Sequence, residues 1–259
     1  MDQAESLRKF YSGFAGKYDL FMPWEQRILR ERRFFKYMLD TYNVNSVLDC
    51  FCGTGFHLAM LSEMGYDVEG IDISPDMVNK ARENLKARGL EPMIALGDVK
   101  AINTKKKYDC VLSMGNSLPH EFGDDNILKA LKSMHDALNP GGICIVHIEN
   151  FDRLYEDREL FIPSRHRRDD TGSDIFIFAI EYYEGRVVFN ILSVIERGGL
   201  PKFAVDTVEY YPIKAGRLRE LINETGFGEI RCYEDFRMSP PGRDRTYDII
   251  MVAKKDDNK

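Results

Sequence analysis

The chain has little of several features that would place it in a specialised class of protein. It has one tryptophan, ten prolines and five cysteines among 259 residues, and it lacks the run of about 18 apolar residues that predicts a membrane-spanning helix. Its opening residues also lack the apolar run and cleavage site of a secretory signal. Because 44% of the residues are hydrophobic and 30% are charged, we expect an ordinary folded protein of the cytoplasm.

The five cysteines lack the spacing of a metal site or of a disulfide framework. Four of them lie in or beside apolar runs that predict buried strands, where a free thiol packs as a small hydrophobic group. Cys50 and Cys52 have neither a second cysteine pair nor a nearby pair of histidines, which zinc would need. The sequence therefore predicts no metal ligand.

An excess of positive charge is also absent. The net charge is −6 and the isoelectric point is about 5.5, whereas binding to nucleic acid needs a concentrated basic surface. Two basic clusters, at 27–33 and 165–168, have acidic residues among or after them, as solvated surfaces do. The charge pattern thus predicts a small-molecule partner, with no nucleic acid and no membrane.

Strand and helix patterns alternate along the first 150 residues, as in a parallel sheet. Short apolar runs predict strands at 46–51, 68–73, 92–96, 108–114 and 142–148. Helical periodicity or helix-start signals predict helices at 24–42, 56–64, 75–88 and 126–138. This order predicts an α/β fold of the Rossmann-like, doubly wound kind.

The pattern changes after Asn150. Three β-rich runs are joined by Gly-containing turns and predict an antiparallel insertion at 151–211. A helix at 214–225 and strands at 229–233 and 246–252 follow, so the core occupies 46–150 and 212–254 and has a seven-stranded mixed sheet. Residues 1–45 form an N-terminal helical segment in this interpretation. The unpaired edges of the insertion make a homo-oligomer plausible.

The sharpest motif runs from Val47 to Gly55, where a buried strand leads into glycines that open a helix. Glycines let a ligand approach the backbone, and the helix start offers free N–H groups. Asp72, which ends the second strand, is placed to accept hydrogen bonds from ribose hydroxyls. A nicotinamide dinucleotide would fit this outline, but Leu58 stands where the third glycine of its motif would fall. The motif therefore favours an adenosine ligand without phosphates.

Two residues after the third predicted strand fit the same ligand. Asp98 is placed to accept a hydrogen bond from an adenine amine, and Val99 to pack against its ring. Asp98 has an alternative interpretation as an ordinary turn or helix-capping residue.

These segments resemble the class I methyltransferases, and within them the glycine N-methyltransferase and glycine–sarcosine methyltransferase group. The resemblance covers nearly the whole chain. The segments that carry it, besides the glycine loop, are Tyr18-Asp19, Trp24 with Arg27, Glu31 and Phe34-Phe35, Gly115-Asn116-Ser117-Leu118-Pro119-His120, Asn150-Phe151-Asp152, Tyr210-Tyr211-Pro212 and Tyr233-x-Asp235-Phe236.

The resemblance implies S-adenosyl-L-methionine as the cofactor, with S-adenosyl-L-homocysteine as its product. It implies that residues 1–45 fold over the cofactor, that Arg27 holds the methionyl carboxylate and that Trp24 covers the ligand. The implied cofactor contacts are Trp24, Arg27, Phe51, Gly53, Asp72, Asp98, Val99 and Met114. Without the family, Trp24 has an equal interpretation as a core aromatic, and Arg27 as a surface charge.

The same resemblance implies the residues around the transferable methyl group. Asn116 would orient an amine N–H through its amide oxygen, and Tyr18 and Tyr211 would present hydroxyls. His120 would be an optional base, since a neutral amine needs alignment and exclusion of water more than acid–base catalysis. A histidine in such a place has the alternative of a purely structural role.

One position departs from the group. Where its members read Arg-Asn-Tyr-Asp after the fifth strand, with the arginine holding the substrate carboxylate, this chain has Glu149-Asn150-Phe151-Asp152. A glutamate favours a cationic or hydroxyl-bearing acceptor. Either the acceptor is not glycine, or another arginine (Arg153, Arg165 or Arg243) holds the carboxylate.

The expected function is N-methylation of a small amine or amino acid of the glycine/sarcosine type. Alternatives are a different small acceptor, methylated on nitrogen or oxygen, a macromolecular acceptor, and a protein that binds the cofactor without catalysis.

Overall fold

The computed structural model describes residues 3–170, 172–242 and 246–256. The helices are α1 (Gln3–Phe21), α2 (Trp24–Thr41), α3 (Phe56–Glu63), α4 (Pro75–Lys86), α5 (Asp124–Asp136), α6 (Phe151–Asp157) and α7 (Ala215–Glu224). The strands are β1 (Ser46–Asp49), β2 (Asp67–Asp72), β3 (Met93–Leu96), β4 (Tyr108–Ser113), β5 (Leu138–Glu149), β6 (Phe161–Asp169), β7 (Gly172–Tyr183), β8 (Arg186–Arg197), β9 (Lys202–Tyr210), β10 (Phe227–Tyr233) and β11 (Asp248–Lys255). No helix in these ranges is long and apolar enough to span a membrane.

The larger sheet of the described residues has seven strands in the order β10-β11-β5-β4-β1-β2-β3. Strands β1 to β5 are parallel, and β11 runs antiparallel to both β5 and β10. The predicted Rossmann-like mixed sheet is confirmed. Because strand order reverses between β1 and β4, their carboxyl ends open a crevice, which is where ligands bind in such sheets.

Side chains of the central strands alternate between two cores, one on each face of the larger sheet. Val111 and Val146 face the core that contains α5 and α7, whereas their neighbours Leu112 and Ile145 face the core that contains α2 and α3. Burial on both faces explains why these strands read as continuous apolar runs. Four of the five cysteines are buried in this way.

The smaller sheet is antiparallel in the order β6-β7-β8-β9 and packs against α1. The ring of Phe21 on α1 lies 5.5 Å from that of Phe176 and 5.2 Å from that of Phe178. Because α1 also contacts α4, it links the smaller sheet to the core built on the larger sheet.

The sequence patterns miss two elements that border the site. Strand β6 is unpredicted because it includes Pro163 and the charged run 165–169, which an edge strand tolerates. The sequence interpretation predicts a helical segment at 1–45 but gives no bounds for α1. The signal is present, because Phe10, Phe14, Tyr18 and Phe21 have helical spacing and form the apolar stripe of this helix. Strand β5 also begins earlier than predicted, at Leu138 rather than at Gly142.

Gly70 in β2 gives a test of the packing between the sheet and α3. A Cβ at this position would lie 2.8 Å from Leu58 Cδ1 and 2.9 Å from Cys52 Cβ. Gly70→Ala should therefore lower the free energy of unfolding by about 1–3 kcal/mol through overpacking. Gly216→Ala is the control, because a Cβ there meets no atom within 4 Å, and the expected change is within about 0.5 kcal/mol. Equal losses in urea denaturation would contradict this packing.

Candidate active site

The loop between β1 and α3 contains two glycines with different roles. Both have left-handed backbones, with φ of +52° at Gly53 and +88° at Gly55. A Cβ on Gly55 would lie 3.2 Å from that of Ala81, so this glycine permits close packing of α4. A Cβ on Gly53 would meet no described atom within 4 Å. The backbone at Gly53 is therefore open to a ligand.

Asp72 ends β2 beside this loop, and its side chain is held by two backbone hydrogen bonds. The N–H of Gly53 donates to Oδ2 at 2.8 Å, and the N–H of Ser74 donates to Oδ1 at 2.9 Å. Burial raises the pKa of Asp72 to about 6, although these two hydrogen bonds oppose the rise. The carboxyl group is thus fixed in place and poorly hydrated.

The other residues expected around adenosine lie at neighbouring strand ends. Val99 and Met114 are buried, and Phe51 is partly buried. Asp98 caps a short 3₁₀ turn by accepting a hydrogen bond from the N–H of Lys100 at 2.9 Å, and its side chain is 40% exposed. The capping interpretation of Asp98 therefore holds in the structure, and the carboxylate also pairs with Lys100 Nζ at 3.2 Å.

Arg27 is buried, and its guanidinium is fixed by its neighbours. The alternative interpretation of Arg27 as a surface charge is therefore not supported. Its Nε donates to Glu31 Oε1 at 3.1 Å, and the guanidinium lies 3.9 Å from the ring centre of Phe56. Glu31 is 0% exposed and also binds Arg30 at 3.0 Å and His57 at 2.9 Å. Burial alone would raise the pKa of Glu31, but the charge of Arg27 and the His57 hydrogen bond hold it well below its usual value.

The end of α1 is tied to the glycine loop through Asp19. Its Oδ1 accepts hydrogen bonds from Trp24 Nε1 at 2.9 Å and Thr54 Oγ1 at 2.6 Å, and its Oδ2 accepts one from Asn84 at 2.9 Å. The Trp24 ring packs edge-on against Phe56 and is buried. These bonds hold α1 and Trp24 over the loop.

A cavity of about 690 Å³ lies between α1, the carboxyl ends of β4 and β5, and the smaller sheet. Four of the predicted site residues line it together: Tyr18, Arg27, Asn116 and Glu149. The side toward α1 and the smaller sheet is apolar and includes Phe14, Phe21, Phe178, Phe189 and Ile191. The cavity therefore has one polar wall and one apolar wall.

Asn116 joins two other residues of the polar wall. Its backbone is left-handed, with φ of +61°, and its Oδ1 accepts a hydrogen bond from the backbone N–H of Glu149 at 2.9 Å. Its side chain also lies close to the hydroxyl of Tyr210. The amide oxygen expected to orient an acceptor amine is thus already engaged in orienting Glu149.

The structure does not bring Tyr211 and His120 to the cavity lining. Tyr211 donates its hydroxyl to Asp124 at 2.9 Å, while the preceding residue, Tyr210, lines the cavity. His120 stacks on Tyr210 and lies 2.7 Å from the hydroxyl of Tyr11. Burial lowers the pKa of His120 to about 4, so the imidazole is neutral at pH 7.

Tyr11 and Tyr210 are cavity residues that the sequence interpretation missed. Tyr210 shares the inward face of β9 with buried Val208, so the two-residue period of the strand favours it over Tyr211. Tyr11 lies three residues before Phe14 and seven before Tyr18, which places it on the inward side of α1.

Arg153 is the one alternative carboxylate-binding residue whose side chain the structure describes. It lines the cavity, but its guanidinium binds Asp157 at 3.2 Å and Glu159 at 3.0 Å and lies 3.8 Å from the ring centre of Tyr247. Arg243 and the side chain of Arg165 lie outside the described residues.

Comparison with known proteins agrees with this geometry. A family model described as a methyltransferase domain matches residues 47–142. Glycine/sarcosine N-methyltransferases of Aphanothece halophytica and Halorhodospira halochloris are 28% and 29% identical to the chain, over 98% of it and 93% and 92% of their own lengths. The chain thus contains a methyltransferase domain. It has the fold of a Clostridium acetobutylicum relative, with a TM-score of 0.80 at 19% identity over 95% of this chain and 99% of that one.

The buried charge of Glu31 gives a second test. Glu31→Gln should lower the free energy of unfolding by about 3–5 kcal/mol, because it leaves the buried guanidinium of Arg27 without its counter-charge. Glu25→Gln, an exposed change on the same helix, should alter it by less than about 0.5 kcal/mol. Similar values for the two variants in urea denaturation would show that the network does not stabilise the fold.

Asp72 gives a third test, through the pH dependence of stability. Its pKa is about 6 in the folded protein, whereas the ordinary value is 3.8. Its favourable contribution to the free energy of unfolding is therefore complete below pH 3.8 and is lost as the pH rises through 6. Without cofactor, the stability of the wild type relative to Asp72→Asn should fall by about 2–3 kcal/mol across this interval. The exposed Asp76→Asn change should leave the pH profile of urea denaturation unaltered. If the difference in the free energy of unfolding between the wild type and Asp72→Asn does not change with pH, the raised pKa is contradicted.

Proposed function

We propose that this methyltransferase methylates the nitrogen of a small amine held in the cavity beneath α1. The observation that carries the proposal is the convergence of Tyr18, Arg27, Asn116 and Glu149 on one cavity at the carboxyl ends of β4 and β5. The glycine/sarcosine N-methyltransferases, similar over nearly the whole chain, support an amine acceptor.

The residues beside the glycine loop fit the cofactor. The open space at Gly53 and the fixed carboxyl of Asp72 suit a ribose, and Asp98 and Val99 suit adenine. Arg27 would bind the methionyl carboxylate, with Phe51, Met114 and Trp24 packing around the ligand. When bound, S-adenosylmethionine supplies an electrophilic methyl group on a positively charged sulfur.

The side chains of the cavity supply alignment and exclusion of water rather than strong acid–base catalysis. The aromatic wall formed by α1 and the smaller sheet keeps water from the acceptor. Asn116 fixes the backbone of Glu149, and both residues line the cavity with Tyr210. His120, with a pKa of about 4, is a weak base, so an ammonium acceptor loses its proton to water before methylation.

Glu149 directs the choice among amines. It lines the cavity at the position where the related group has a carboxylate-binding arginine, and Arg153 is already paired with Asp157 and Glu159. These contacts favour an amine that presents a cation or a hydroxyl group toward Glu149. The alternative is a glycine-type acceptor whose carboxylate is held by Arg153, Arg165 or Arg243.

Calorimetric titration with S-adenosylmethionine tests the cofactor site, which the acceptor proposal requires. Asp72→Ala should weaken binding by about 100-fold or more, because two hydrogen bonds to a charged group are lost. Asp76→Ala should bind like the wild type. A wild-type protein that does not bind the cofactor would contradict the proposal.

A methyl-transfer screen of glycine, sarcosine, dimethylglycine, simple amines and amino alcohols then identifies the acceptor. Carboxylate-free amines should be preferred, and Glu149→Gln should lower their kcat/KM by about 10- to 100-fold with the loss of a charged contact. Arg153→Gln should leave it unchanged. A preference for glycine that is lost in Arg153→Gln or Arg243→Gln would favour the alternative, and cofactor binding without turnover of any amine would contradict N-methylation.

A further inference from the structure

The turn after β4 has an uncommon backbone. Gly115 and Asn116 are both left-handed, with φ of +69° and +61°. Such a conformation is sparsely populated for a residue other than glycine and persists where surrounding contacts fix it. The turn carries the Asn116 side chain, which accepts a hydrogen bond from the backbone N–H of Glu149.

His147, a buried residue of β5, accepts a hydrogen bond from each of the two N–H groups of this turn. The N–H of Gly115 donates to His147 Nδ1 at 3.1 Å, and the N–H of Asn116 donates to the backbone oxygen of His147 at 3.2 Å. His147 also lines the cavity. Its imidazole therefore acts as a hydrogen-bond acceptor inside the polar wall.

The contact with Gly115 requires one tautomer of the ring. Because Nδ1 accepts a hydrogen bond, the proton of the neutral imidazole lies on Nε2. Nε2 donates it to Asp248 Oδ1 at 2.8 Å, on the adjacent strand β11. Burial alone would raise the pKa of Asp248, but the His147 hydrogen bond and the charge of Arg30 hold it below its usual value. A carboxylate is thus available to select this tautomer.

We propose that His147 and Asp248 are positioning residues for methyl transfer. Asp248 keeps the proton on Nε2, His147 thereby holds the left-handed turn, and the turn presents Asn116 and, through its hydrogen bond, Glu149 to the acceptor. This inference rests on the proposed N-methyltransferase function. Sequence patterns do not single out either residue, and both act through the turn.

Three variants separate positioning from simple packing. His147→Asn keeps an acceptor near the place of Nδ1, whereas His147→Gln keeps a donor near the place of Nε2 and loses the acceptor. In Asp248→Asn the new amide group can donate a hydrogen bond to Nε2. The imidazole can then hold its proton on Nδ1, and that proton would face the N–H of Gly115 instead of accepting from it.

The first readout is amide hydrogen exchange at Gly115 and Asn116 in protein saturated with S-adenosylmethionine. Exchange at Gly115 should be at least about 10-fold faster in His147→Gln and Asp248→Asn, and close to the wild type in His147→Asn. The dissociation constant for S-adenosylmethionine should stay within about twofold in His147→Asn and His147→Gln, since neither change touches the glycine loop or the charges around Arg27. Wild-type exchange at Gly115 in His147→Gln would overturn the proposal.

The second readout is kinetic and uses the amine found in the screen. In His147→Gln and Asp248→Asn, kcat should fall by about 100-fold, since misalignment acts on the reacting geometry, while His147→Asn retains most of the activity. Equal losses in all three variants would show that the histidine only fills space. The hydrogen-exchange measurement does not need a methyl acceptor. A screen without turnover would therefore contradict the proposed function, while hydrogen exchange would still test whether His147 and Asp248 hold the turn.

Discussion

The charge on Glu31 is the interaction on which the arrangement of the site depends. A carboxylate that is 0% exposed is tolerated only beside positive and hydrogen-bonding partners, and Arg27, Arg30 and His57 supply them from two helices. His57 in turn approaches Asp49, at the end of β1, to 3.6 Å. The same chain of charges therefore joins α2, α3 and the strand that leads into the glycine loop, and it holds the guanidinium of Arg27 at the cavity wall.

The cavity divides its tasks between two parts of the fold. The larger sheet contributes polar groups at fixed strand ends, where β4, β5 and β11 are hydrogen-bonded to one another. Helix α1 and the smaller sheet contribute the aromatic side, through rings that pack mainly on each other. Orientation is thus determined by the rigid sheet, whereas the size and polarity of the space depend on the elements outside it.

Sequence patterns give the parallel core and the glycine loop, because those features depend on residues close together in the chain. Glu149, the last residue of β5, is singled out instead by the resemblance to the glycine N-methyltransferase group, which has an arginine there. The pair of His147 and Asp248 is different, since its members are 101 positions apart and meet only through the antiparallel pairing of β5 and β11. The choice between Tyr210 and Tyr211 depends on where β9 ends, and strand ends are the least predictable part of a pattern.

The burial of two cysteines near the glycine loop has a consequence for a protein that binds an alkylating cofactor. Cys50 and Cys52 flank the start of the glycine loop, and with the cofactor bound there as proposed a thiolate would be a nucleophile near its sulfonium. Burial raises the pKa of both thiols well above the usual value, and for Cys52 the charge of Asp72 adds to the rise. Both sulfurs stay protonated at neutral pH. A methyl donor held at this loop would therefore face thiols, which are far weaker nucleophiles than thiolates.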